Sequence, residues 1–116
     1  GDRVLRHVAH ALRGAFRSAD HVARMGGEEF LVILPGADPD HARMRVDTLR
    51  AMLSSTGVVL DTPGMQVTLS AGISALRADD AGGDALLQRA DTAMYAAKHA
   101  GRDRTELEVP RPALVD

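Results

Sequence analysis

Arg24-Met25-Gly26-Gly27-Glu28-Glu29-Phe30-Leu31-Val32-Ile33-Leu34-Pro35 joins a glycine pair, two adjacent acids and an apolar run. Gly26-Gly27 stands between His21–Met25 and Phe30–Leu34, which is a hairpin signal, because glycine takes positive φ at both turn positions without a Cβ penalty. The second strand then opens on its two carboxylates. Alternation sends Glu28, Phe30, Val32 and Leu34 to one face and Glu29, Leu31 and Ile33 to the other. Apolar residues on both faces predict a central strand covered on both sides. Two acids at its mouth, beside backbone bared by glycines, suit a hard divalent cation and the phosphates it carries. The plain alternative is a solvated strand end.

Working outward, residues 2–16 carry Val4, Leu5, Val8, Leu12, Ala15 and Phe16 at spacings of three and four, with Arg3, Arg6, His10 and Arg13 between them. That pattern predicts a helix with one buried stripe and Asp2 as its N-cap. After the hairpin, residues 35–40 form a turn that caps a second helix with Ala42, Val46, Leu49 and Leu53 inward, ending near Ser54–Gly57. Val58-Val59-Leu60, the turn Asp61–Gly64 and the alternating run Met65–Ala75 predict a second hairpin. The loop Arg77–Gly83 is expected to be exposed. Asp84 then caps a third helix with Leu87, Ala90, Met94 and Ala97 inward, stopped by Gly101. Leu107–Val109 adds a short edge strand, and residues 110–116 read as a tail. Helix, hairpin, helix, hairpin, helix implies an α/β (α+β) sandwich, a central antiparallel sheet flanked by helices.

At 116 residues the chain is one domain, residues 1–109, with a modest core. The absence of cysteine excludes a disulfide framework and a thiolate metal site. A net charge of −2 argues against a general nucleic-acid surface, although arginine supplies 13 of the 14 basic residues. No apolar run approaches a membrane span. The five histidines share no metal spacing, and no Walker or dinucleotide glycine loop is present. The chain opens on Gly1 directly into an amphipathic pattern, as an excised piece would.

Gly26-Gly27-Glu28-Glu29-Phe30, with Arg24 and Pro35 in their flanking places, resembles the signature of the GGDEF domain of diguanylate cyclases in its Glu-containing form. Three further segments resemble that family in the same order. Gly1-Asp2 followed by Val4-Leu5 is similar to the end of the family's Gly-His-x-x-Gly-Asp stretch, which implies that Asp2 binds the guanine base. Arg17-Ser18-Ala19-Asp20 matches the Arg-x-x-Asp of the family's inhibitory site, where cyclic di-GMP, the product, binds away from the active site; Arg50 would complete that site. Taken alone, Arg17 and Asp20 are a surface ion pair. Ala90-Asp91-x-Ala93-Met94-Tyr95-x-Ala97-Lys98-x-x-Gly101-Arg102 is much like the closing helix. There Lys98, the only lysine, and Arg102, four apart on one helix face, would reach the triphosphate.

The resemblance implies the fold of nucleotide cyclases and polymerase palms, and condensation of two GTP into cyclic di-GMP with release of two pyrophosphates. It assigns Glu28 to metal coordination and to activation of the attacking hydroxyl, Glu29 to a second ligand role, and Gly26 and Gly27 to the bare turn beside the substrate. Mg²⁺ or Mn²⁺ is the implied cofactor. GTP, cyclic di-GMP and a second copy meeting through the active-site face are the implied partners, with no nucleic acid and no membrane, in the cytoplasm. The family's first strand, with a metal-binding Asp, is expected ahead of Gly1; the 116 residues alone are therefore expected to be inactive, less stable and prone to swap or aggregate. A catalytically silent module that binds cyclic di-GMP or GTP as a sensor is the alternative, against which the intact Gly-Gly-Glu-Glu-Phe stands.

Overall fold

The computed structural model describes residues 2–108, apart from the Val58 side chain. The chain divides into two compact units, Gly1–Leu69 and Ser70–Asp116. The expected tail at 110–116, and Val109 of the expected edge strand, lie outside the described residues.

The first unit begins with α1 (Asp2–Ala15). Val8, Leu12 and Phe16 are buried on the stripe that the spacing predicts. Asp2 is the first helical residue rather than a cap ahead of it, with its carboxylate 3.4 Å from Arg6 one turn on. β1 (His21–Gly26) and β2 (Glu29–Ile33) then form an antiparallel hairpin. Asp38 caps α2 (Pro39–Leu53), its side chain accepting from the His41 N–H at 2.9 Å, with Pro39 at the start where no N–H is needed. Ala42, Leu49 and Leu53 face inward as expected. Leu49 and Leu53 are 1% exposed, each contributing about 1.5–3 kcal/mol by burial. They join Val8, Leu12 and Phe16 in a core against which Phe30, Val32, Leu34, Val67 and Leu69 pack.

The expected strand at 58–60 is instead helical. α3 (Thr56–Val59) carries the turn on from α2, with Val59 N–H donating to Ser55 O and Leu60 N–H to Thr56 O. The chain then doubles back, Thr62 N–H reaching Gly57 O at 2.6 Å. Three β-branched or apolar residues are too short a run to hold a strand once these helical bonds have begun. Among the described residues there is thus no second hairpin.

In the second unit β3 (Ser70–Ile73) pairs in parallel with β4 (Arg104–Leu107). α4 (Gly83–His99) lies between them in sequence and packs on both, a crossover that parallel pairing requires. Its buried residues are Ala93 and Ala97, while Leu87 is 42% exposed. The stripe is rotated from the expected one because Gly72 admits the α4 backbone itself: a Cβ there would collide with Ala90 O and Met94 N. Asp84 lies in the first turn, and the cap position is Gly82 without a side-chain bond. Gly101 follows the helix at φ 120°, and the Arg102 N–H closes the end onto Ala97 O at 2.9 Å, a Schellman pattern. Arg102 (φ 63°) and Asp103 (φ 48°) continue in the left-handed region.

The α+β class stands, with one antiparallel pair and one parallel pair in place of a single antiparallel sheet. Among the described residues no helix is long and apolar enough to cross a membrane.

Candidate active site and product site

The glycine turn is built as its residues demand. Gly26 (φ 152°) and Gly27 (φ 45°) both take positive φ, and the register slips between Arg24 and Gly26 so that Gly26 faces Glu29. This bulge moves Glu28 into the turn, so β2 starts at Glu29 and not on both acids. Arg24 fixes the turn from within, its Nε and Nη2 donating to Gly27 O at 2.9 and 2.6 Å. Glu28 and Glu29 are both exposed. Phe30 and Val32 anchor the strand on the core side, while Ile33 on the other side is 50% exposed. Among the described residues β2 pairs with β1 alone, so it is not the central strand that its composition suggests.

Magnesium keeps several waters and takes one or two carboxylates together with substrate phosphates. The hard oxygens of Glu28 and Glu29 fit that coordination. Among the described residues no group of three or more His, Asp or Glu gathers that could hold a metal by itself.

Arg17 and Asp20 sit on the turn between α1 and β1. Asp20 Oδ2 accepts from the Arg17 backbone N–H at 2.8 Å and from Arg45 Nη2 at 2.9 Å. Burial pushes the Asp20 carboxyl up, and the Arg17 N–H and the Arg45 guanidinium together outweigh it, so its pKa lies below the ordinary value. Arg13, Arg17, Asp20 and His21 line a shallow depression there. Arg50 bonds Asp47 at 3.1 Å. It stands five residues beyond Arg45, roughly 140° round the helix. The α2 arginine brought to Asp20 is therefore Arg45, which the sequence reading passed over; no local spacing signals a contact across 25 residues. Another depression, on the outer face of α2 beside Arg43, Met44 and Thr48, gathers none of the expected site residues.

Lys98 and Arg102 belong to the second unit. Lys98 lies in the last turn of α4, while Arg102 lies past its end, so the two do not share a helix face. Tyr95 and His99, one turn apart on α4, meet with ring centroids 4.0 Å apart and planes tilted by 44°. The 77–83 loop is largely exposed, as expected, and is also tied down: Arg89 grips both oxygens of Asp80 at 2.9 and 2.7 Å, and Arg77 Nη2 meets Glu108 at 2.9 Å. The Arg89 guanidinium, then the Arg77 N–H, hold the Asp80 carboxyl down at about 2 against desolvation.

The family described as "Diguanylate cyclase, GGDEF domain" matches residues 1–104. Diguanylate cyclase DgcP of Pseudomonas aeruginosa is 43% identical over 107 residues, 92% of this chain and 16% of that protein. Among solved structures, the diguanylate cyclase SiaD of P. aeruginosa, in complex with its activator SiaC, superposes with a TM-score of 0.82 at 33% identity, over 92% of this chain and 41% of that one. The GGDEF domain of DgcB from Caulobacter crescentus, in complex with c-di-GMP, gives 0.77 at 25% identity, over 91% of this chain and 63% of that one. The chain spans less than a third of the length of the curated relatives it matches first.

Proposed function

The chain belongs to the GGDEF domain family of diguanylate cyclases, and from that membership we propose that it condenses two GTP into cyclic di-GMP, releasing two pyrophosphates, in the cytoplasm where GTP is held. The observation that carries the reading is the Arg24-clamped glycine turn with Glu28 at its tip and Glu29 opening β2. Cyclases of this family generally use divalent metal ions; Glu28 and Glu29 would hold Mg²⁺ or Mn²⁺ here, and the ion would supply a lower pKa for the attacking 3′-hydroxyl and neutralisation of charge on the phosphoryl oxygens. Glu28 takes the hydroxyl proton. Gly26 and Gly27, lacking side chains, leave the turn backbone open to the phosphates. In the first unit Asp2 is the proposed acceptor for guanine N–H groups; in the second, Lys98 and Arg102 carry the positive charge that suits a triphosphate. Two domains meet through this face, because each hydroxyl attacks the other nucleotide. Product binds at Arg17 and Asp20 and feeds back.

Glu28→Gln keeps the shape of the turn and removes a ligand charge. We expect turnover of GTP with Mg²⁺ to fall on the order of 10²–10³-fold or more while circular dichroism stays unchanged. The assay follows cyclic di-GMP formation from GTP by wild type and variant. Full activity of the Gln variant, or no cyclic di-GMP from wild type with Mg²⁺ or Mn²⁺, rejects the assignment.

A further inference from the structure

Asp20 is an unusual lining group for a ligand depression, because its side chain is only 5% exposed and Oδ2 already accepts two bonds. The bond from the Arg17 N–H ties the carboxylate to the backbone of the exposed residue Arg17. The bond from Arg45 ties it to α2. Arg45 is itself well held: Nη2 also reaches Ala15 O at 3.4 Å, the guanidinium lies 4.7 Å over the Phe16 ring, and the side chain is 14% exposed. It does not line the depression.

We infer that Arg45 is a positioning residue for the ligand site at the α1–β1 turn, holding Asp20 so that Asp20 holds the Arg17 backbone and the Arg17 side chain starts from a fixed point. The inference rests on the proposal that Arg17 binds product. Asp20 thereby links α2 to the exposed turn that carries Arg17.

A double-mutant cycle on the full chain tests this, with cyclic di-GMP binding followed by calorimetry and Tm recorded for each protein. Arg45→Met is expected to weaken binding by on the order of tenfold, mid-range for the coupling of contacting charged groups. In an Asp20→Asn background the same change should cost nothing further, because the path through Asp20 is already cut. If Arg45→Met proves too unstable to purify, Arg45→Gln, which keeps a donor for Ala15 O but not the charge, is read by the same criteria. A lower Tm with unchanged affinity overturns the inference, and so does an equal affinity loss in both backgrounds. Arg17→Ala separates the two layers. If it weakens binding while Arg45→Met does not, the product site stands and the positioning role falls; if it leaves affinity unchanged, both fall.

Discussion

A β-carbon on Gly72 would strike Ala90 O and Met94 N of α4, and both are backbone atoms with nowhere to go. Gly72→Ala should therefore force β3 and α4 apart, costing about 2–3 kcal/mol and lowering Tm by roughly 10 °C or more; an unchanged melting curve would show that the two elements part easily. The sequence shows Gly72 only as a small residue in an alternating run. By contrast Gly26 and Gly27 declare themselves, because their demand is local. Asp20 lies between these cases: its offset before Gly26 is visible in the string, while its bond to Arg45 depends on how α1 and α2 pack.

At the scale of elements, the grip of Arg89 on Asp80 fastens the 75–83 segment to α4, and Arg89 Nη2 adds a bond to Ala75 O at 2.9 Å. The Asp80 carboxyl is held at about 2 against an ordinary 3.8. A depressed carboxyl stabilises the folded state fully above its unfolded pKa, and that contribution is lost as pH falls through the folded value. Asp80→Asn should thus melt below wild type at neutral pH, with the gap closing as pH drops from about 4 to about 2. A gap constant across that range would mean the carboxylate charge plays no part. Elements were legible where their signals are local, as with Asp38-Pro39 opening α2 or Gly101 ending α4. They were illegible where packing overrode propensity. Val58-Val59-Leu60 favours a strand by composition, yet α2 hands its helical bonds directly on to α3. The last strand falls at Arg104–Leu107, ahead of the expected Leu107–Val109, and runs parallel to β3 because α4 crosses over between them; no residue type announces that direction.

Over the whole molecule, the strongest signal in the sequence was the order of four separated segments, and that order identified the family although it gave neither the two separate sheets nor the distribution of site residues between two units. The β1–β2 register puts Ala23, Leu31 and Ile33 on the face away from the core, with Ile33 half exposed. A net charge of only −2 gives little repulsion between copies. Residues 1–116 should therefore associate with rising concentration, and Ile33→Lys should lower the weight-average mass in sedimentation equilibrium; equal association in both proteins would clear this face of responsibility. The left-handed Arg102 after α4 sets two laboratory selections against each other. Holding a non-glycine residue there costs roughly 1–2 kcal/mol, so heat challenge of a random library would enrich glycine at 102. On the proposed triphosphate role of Arg102, a screen for GTP turnover would retain arginine, and the codon at that position would record which pressure the library met last.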